Sequence, residues 1–206
     1  MQDPLPTEIH TPRLVLRAAD ISFVDEVHAA FHASWAELHA WASWADDPAH
    51  HGREQARRDM QTAMDNFRMG GDRIYYYAFT RDTHRFALMC GIWNIRWPLP
   101  AAEIGYWANT SEAGHGYTQE ALNALARFCL SDLRMKRLSM RIAEHNTASR
   151  HIAIKTGFNE EGYHPADGLQ GNGTIMNMYS YGLLDANWLP PLEVTWKPVP
   201  AEVKEE

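Results

Sequence analysis

Cysteine is scarce in this chain of 206 residues: Cys90 and Cys129 are the only two. Two thiols cannot staple a domain of this size, which excludes a disulfide scaffold. Long apolar runs are missing as well, and none approaches the roughly 20 residues that span a bilayer. Residues 1–20 lack a positive start followed by an apolar stretch, so no secretory signal is expected. The expected compartment is the cytoplasm, with both thiols reduced. Positive charge is also in deficit: Lys and Arg number 19 against 26 for Asp and Glu, a formal net charge of −7. That balance argues against nucleic acid or an anionic membrane as the main partner. It suits a cationic small molecule, and it is equally the ordinary balance of soluble proteins. No repeat of 20–50 residues and no low-complexity segment occurs.

Core-forming residues are plentiful. At 45% hydrophobic and 22% charged, the chain can bury a core, which excludes wholesale disorder. Residues 13–17 alternate as a first strand. Ser22 with Asp25 has the spacing of a capping box, and Phe23, Val24, Val27, Phe31 and Trp35 then share one helical face. A polar helix over 53–67 ends at Gly70-Gly71. Strands are expected at 73–80 and 86–95, joined by the turn 81–84, and again at 103–108 after Pro98 and Pro100. From Thr118 to Leu133, Ala121, Leu122, Leu125, Phe128 and Cys129 make an amphipathic helix. A strand at 137–143, a helix opening at Asn146 or Thr147 and capped by Gly157, and a last strand at 175–183 complete the order. The fold class is α/β: a mixed, mostly antiparallel sheet flanked by helices. Residues 1–188 are expected to form one domain. Residues 189–206, with Pro190, Pro191, Pro198 and Pro200, read as an extended tail packed on its own domain or on a neighbouring subunit, which leaves a homodimer open.

The informative segment runs from Glu103 to Leu122. A strand leads into a loop holding Gly114 and Gly116, and the loop opens directly into the long amphipathic helix. Such a junction presents unpaired backbone N–H groups and the positive end of the helix dipole, which together suit a phosphate or pyrophosphate. Glycine lets an anion approach the backbone. The alternative is an ordinary tight turn. No Gly-Lys-Ser/Thr follows, so this is not a Walker loop, and a dinucleotide fingerprint would need a third glycine in a parallel unit.

The order of further blocks resembles the GCN5-related N-acetyltransferases, and among them the RimJ/RimL-like branch. These blocks are Thr11-Pro-Arg-Leu-Val-Leu-Arg17, Glu103-Ile-Gly-Tyr-Trp107, the Gly114/Gly116 loop, Asn146-Thr-Ala-Ser-Arg150, Lys155-Thr-Gly-Phe158 with Glu161-Gly162, and Tyr181-Gly-Leu-Leu184. The resemblance implies a splayed mixed sheet with acetyl-CoA in the splay and an amine as acceptor. The family's Gln/Arg-x-x-Gly-x-Gly/Ala pattern falls on Ala113 to Thr118. Ala113 replaces the long side chain and Thr118 replaces the small final residue. Pyrophosphate binding then rests on the amides of His115, Gly116, Tyr117 and Thr118, with the Thr118 hydroxyl a further donor and His115 either a cation or a solvated loop residue.

The same resemblance assigns carbonyl polarisation to backbone N–H groups around Tyr106, Trp107 and Ala108. It assigns acceptance of the amine proton to Glu103, whose other reading is a solvent-facing strand-end acid. The family's tyrosine on the following helix is Ala153 here, and in the resembled branch a serine takes its role as the thiolate's acid, at Ser149. Asn146 matches an asparagine that contacts pantetheine or orders the helix. Trp35, Trp41 and Trp44, with Glu37, Asp46 and Asp47, lie in a turn that borders the acceptor pocket in this fold. Aromatic rings and carboxylates suit a cationic amine, and hydrophobic packing with solvated acids is the plain alternative. His28 and His32 stand i, i+4 without an evident third ligand, so no metal is expected. Cys90 and Cys129 lie in buried patterns without a neighbouring base, which disfavours a covalent acetyl-enzyme. The expected activity is direct acetyl transfer to a protein or peptide N-terminal amine, or to a small amine such as a polyamine or antibiotic. A non-catalytic acyl-CoA sensor is the reading of another class.

Overall fold

The computed structural model describes residues 5–196. Two short strands, β1 (Glu8–His10) and β2 (Leu14–Ala18), pair antiparallel. β1 escapes sequence reading because three residues carry no periodicity, although Ile9 is fully buried. Alternation in β2 buries Leu14 and Leu16. The expected capping box is replaced by a different device. Asp20, with an extended backbone, accepts from the amide and hydroxyl of Ser22 and caps a 3-10 turn, Ile21–Phe23, which leads into α1 (Val24–Ala33).

The helical face that sequence extends to Trp35 is broken at Ser34. That residue is buried, its hydroxyl meets Thr110 Oγ1 at 3.2 Å and accepts from the Thr110 amide at 3.0 Å, and the chain restarts as α2 (Trp35–Trp41). α3 (Arg53–Met69) stops at Gly70, whose φ of +65° is the left-handed cap that its sequence foretells. Three helices therefore precede the central strands where two were expected.

β3 (Arg73–Thr80), β4 (Phe86–Arg96) and β5 (Ala101–Ala108) form an antiparallel meander. Then come α4 (Tyr117–Ser131), β6 (Arg137–Ala143), α5 (Thr147–Lys155), β7 (Asn159–Leu169), β8 (Ile175–Leu183) and a short β9 (Thr195–Trp196). The sheet order is β7-β8-β6-β5-β4-β3-β2-β1-β9. β7 was not foreseen. It is almost wholly exposed and contains Gly162, Pro165 and Gly168, so neither burial nor alternation marks it.

Each face of the sheet packs its own layer. On one, Leu16, Tyr76, Leu88 and Ile104 meet Leu122, Leu125 and Cys129 of α4. Full burial of a leucine side chain contributes about 1.5–3 kcal/mol. On the other, Tyr77, Phe79, Phe86 and Trp107 meet Val24 and Ala30 of α1 and Met60 of α3. Beyond Trp188 the chain runs extended over its own domain. Leu189 is buried, and the Asn123 and Arg127 side chains donate to the Pro190 carbonyl at 2.9 and 3.0 Å. β9 pairs antiparallel with β1, and the Trp196 indole donates to Asp132 at 3.1 Å. Residues 197–206 of the expected tail lie outside the described residues.

One junction departs from regular pairing. β5 and β6 run parallel and pair only at Ala101–Glu103 against Arg137–Ser139. From Ile104 onward β5 has no ladder partner on that edge among the described residues, and a wedge opens toward the C-terminal ends of both strands.

Candidate functional site

The wedge is bounded by the start of α4, by α5 and by the free edge of β5. Gly116 caps α4 with φ +77°, and among the described residues no side chain caps the first turn. Its amides are therefore free for an external acceptor. Gly114 has φ +81° and open space where a Cβ would stand. His115, exposed, stacks on Tyr117 with ring centroids 5.3 Å apart, and Thr118 follows in the first turn.

Sequence reading missed what fixes this loop. Glu120, buried one turn into α4, accepts from Thr11 Oγ1 (2.6 Å), the Arg13 amide (3.0 Å) and Arg13 Nε (2.6 Å). The guanidinium so held donates to the His115 carbonyl at 2.8 Å and lies 5.0 Å from the Tyr117 ring centroid. A cation thus stands beside the loop that lost its long side chain at Ala113. The signal was present in Arg13, just before β2, but no spacing rule links it to a loop a hundred residues away.

Across the wedge, Tyr106 Oη donates to Ser149 Oγ at 3.1 Å. Burial raises the Tyr106 phenol above its ordinary value and keeps it protonated as a donor. Asn146 caps α5 by accepting from the Ser149 amide at 3.0 Å, so the serine's hydroxyl is not needed for capping. Glu103, half-buried, accepts from Trp93 Nε1 (3.0 Å) and Asn94 Nδ2 (2.8 Å). The acid is thus held by two donors at the strand end while one of its oxygens stays at the surface.

On the opposite face, a cavity of about 750 Å³ lies between the sheet and α1 and α3. Tyr106 and Trp107 of β5 reach its wall, together with Phe31, Tyr75, Tyr77 and Trp93. Of the turn residues expected there, Trp44 alone lines it. Trp35 lies tilted against His39 with ring centroids 4.4 Å apart, and Trp41 is half-buried away from the wall. Asp46 is engaged by His50 (3.0 Å) and His51 (3.1 Å), and Asp47 accepts from the Ala49 amide as a turn cap. Short-range partners thus engage both carboxylates, and neither lines the cavity. His28 lines the cavity, its Nε2 buried without a partner among the described residues. Burial pushes the Cys90 thiol up to about 12 and the Cys129 thiol higher still, so neither supplies a thiolate at neutral pH.

The turn after β7 reaches α2. The Gly171 amide, in the turn joining β7 to β8, donates to the His39 carbonyl at 2.8 Å. A Cβ at Gly171 would stand 2.3 Å from the Ala45 carbonyl oxygen, so only glycine permits this approach.

Comparison with known proteins places this architecture. The family model described as an acetyltransferase (GNAT) domain matches residues 13–159. YdaF of Bacillus subtilis, named as a candidate ribosomal N-acetyltransferase, is 34% identical over 87 residues, 42% of this chain and 47% of that protein. The match thus spans about half of that relative's length. The ribosomal-protein-serine acetyltransferase of Escherichia coli is 34% identical over 61 residues, 30% of this chain and 34% of the other. Among solved structures, RimL, a ribosomal L7/L12 alpha-N-protein acetyltransferase in complex with coenzyme A, aligns with TM-score 0.77 and 25% identity over 85% of this chain and 96% of its own. Mycobacterium smegmatis RimJ in complex with a CoA disulfide aligns with TM-score 0.82 and 21% identity over 93% of each chain, a likeness of fold.

Proposed function

The chain belongs to the GNAT acetyltransferase family, and on that premise we propose that it transfers the acetyl group of acetyl-CoA directly to a primary amine. The observation that carries this reading is the wedge between β5 and β6, flanked by the glycine-capped N-terminus of α4. The residues fit the cosubstrate. Free amides of His115 to Thr118 and the adjacent Arg13 suit a pyrophosphate, open space at Gly114 admits it, and the unpaired edge of β5 suits an extended amide-bearing chain.

Acetyl-CoA supplies an activated acyl group as a thioester. This chain's own residues then have three tasks. Backbone N–H groups of Tyr106 to Ala108 polarise a carbonyl lying along the free edge of β5. Glu103 holds a carboxylate near the cavity wall to receive the amine's proton, with Trp93 and Asn94 fixing its orientation. Ser149 keeps a proton at Oγ for the leaving sulfur, its lone pair being occupied by the Tyr106 hydroxyl. The amine nitrogen gains the acetyl carbon, the thioester C–S bond breaks, and the proton lost by the amine balances the one gained by sulfur.

The acceptor we favour is the N-terminal amine of a protein or peptide, supported by the names of the relatives. A small polycation is less well supported, because Asp46 and Asp47 do not line the cavity. We also place the protein in the cytoplasm, as one domain over residues 1–188 with a tail, acting as a monomer or homodimer. Release of CoA thiol, followed spectrophotometrically with a panel of amines and peptides, tests the reading. Tight acetyl-CoA binding without turnover on any acceptor would favour a sensor instead.

A further inference from the structure

We infer that the acceptor's amine is carried on an uncharged aromatic or large apolar group, seated in the cavity between α1, α3 and the sheet; the inference rests on the acetyltransferase reading above. Rings of Phe31, Trp44, Tyr75, Tyr77, Trp93 and Trp107 line the wall, with the polar His28, His51, Asn66 and Asn94 between them. Side chains of fixed charge on the wall are Asp59 and Arg73, one of each sign, both exposed at the rim. They cancel, and Asp59 is already bonded to Gln55 Nε2 at 2.7 Å. A polycation would find no set of carboxylates here, and a serine or alanine side chain would leave most of 750 Å³ unfilled.

Trp44 is the most telling residue. Its ring lines the cavity yet is 50% exposed, tilted against Phe31 at 6.2 Å. An aromatic ligand in the cavity would cover this half-exposed indole and meet rings on the other sides. Tyr106 and Trp107 connect this wall to β5, so a group held here presents its amine toward the wedge.

The test uses the full chain and acetyl-CoA. Peptides identical except for Trp, Phe, Leu, Ser, Ala or Lys at the first position are compared with free tryptamine and spermidine by CoA release. Trp-, Phe- and Leu-first peptides, or tryptamine, should exceed the Ser- and Lys-first peptides and spermidine in kcat/KM by about tenfold or more. Peptides alone responding would identify a chain end as the source, and tryptamine responding equally would identify a free amine; both support the inference. Trp44→Ala should lower the Trp-first over Ser-first ratio by about tenfold, with Trp44→Phe restoring most of it. A preference for serine or spermidine, or an equal effect of Trp44→Ala on every acceptor, would overturn the inference while leaving acetyl transfer intact. Acetyl-CoA binding with no release on any acceptor would remove the parent reading as well.

Discussion

The hydroxyl pair Tyr106–Ser149 makes the sharpest quantitative prediction. Tyr106 donates to Ser149 Oγ at 3.1 Å, which leaves the serine's own hydrogen free to point into the wedge. Replacing Tyr106 by Phe keeps the ring and removes one hydrogen bond between neutral groups, a net of about 0.5–1.5 kcal/mol. If that bond orients the serine, kcat should fall about two- to twelvefold. Ser149→Ala removes the donor itself, and such losses are typically about 10²–10³ in rate. The double variant should be no slower than Ser149→Ala, since Tyr106 acts through the serine alone. Stability should move the other way. Ser149→Ala leaves a half-buried phenol without its acceptor at a cost of about 1 kcal/mol, and adding Tyr106→Phe should recover it. Single-turnover thiol release gives the rates and urea titration the stabilities. Multiplicative rate losses in the double variant, or a Ser149→Ala effect confined to the KM for acetyl-CoA, would refute the relay.

Three further perturbations follow from the geometry. Gly116→Glu places a carboxylate and a strained left-handed residue at the α4 cap, so calorimetry should show acetyl-CoA affinity falling by tenfold or more on an order-of-magnitude scale, and unchanged affinity would sink the pyrophosphate assignment. Glu120→Ala leaves the Thr11 hydroxyl and the Arg13 amide and guanidinium without their shared acceptor, so urea denaturation should register a loss of about 2–4 kcal/mol. The His50 hydrogen bond, seconded by His51, holds Asp46 at about 2, below the ordinary 3.8, and Asp46 in turn raises His50 above 6.5. The aspartate's contribution is present above about pH 4 and lost as pH falls through about 2; the histidine's is complete below about 6.5 and lost as pH rises through its elevated value. Asp46→Asn should therefore return the His50 titration, followed by NMR, toward 6.5.

Where local rules govern, the sequence was readable. The tyrosine-rich run 73–80 and the strand after it became a hairpin because alternation and turn residues agree. α4 was evident because its apolar stripe is continuous, and the glycines before it marked the helix end proposed to hold the pyrophosphate. What stayed hidden depends on distant partners. Ser34 breaks a helix for the sake of Thr110, and β7 is a strand only because β8 offers it a ladder. Arg13 and Glu120 meet across 107 positions. The cavity rings come from three strands, a helix and the turn after α2, and their convergence has no linear signature. The acidic turn misled for a related reason: Asp46 and Asp47 looked free to bind a ligand, but histidines and amides a few residues away satisfy them.

The contact between Gly171 and His39 changes the kind of opening that this protein offers. β5 is tied to the start of α2 through Thr110 and Ser34, α2 to the turn after β7 through that contact, and the turn to β6 through β8. β6 closes the circuit by pairing with β5. A slot open along one side accepts the middle of a chain, whereas a closed loop of structure must be threaded from an end. If acetyl-CoA and the amine meet inside this circuit, as the proposed function would have it, each needs a free tip: a slender arm from one side, and a chain terminus or a detached small amine from the other.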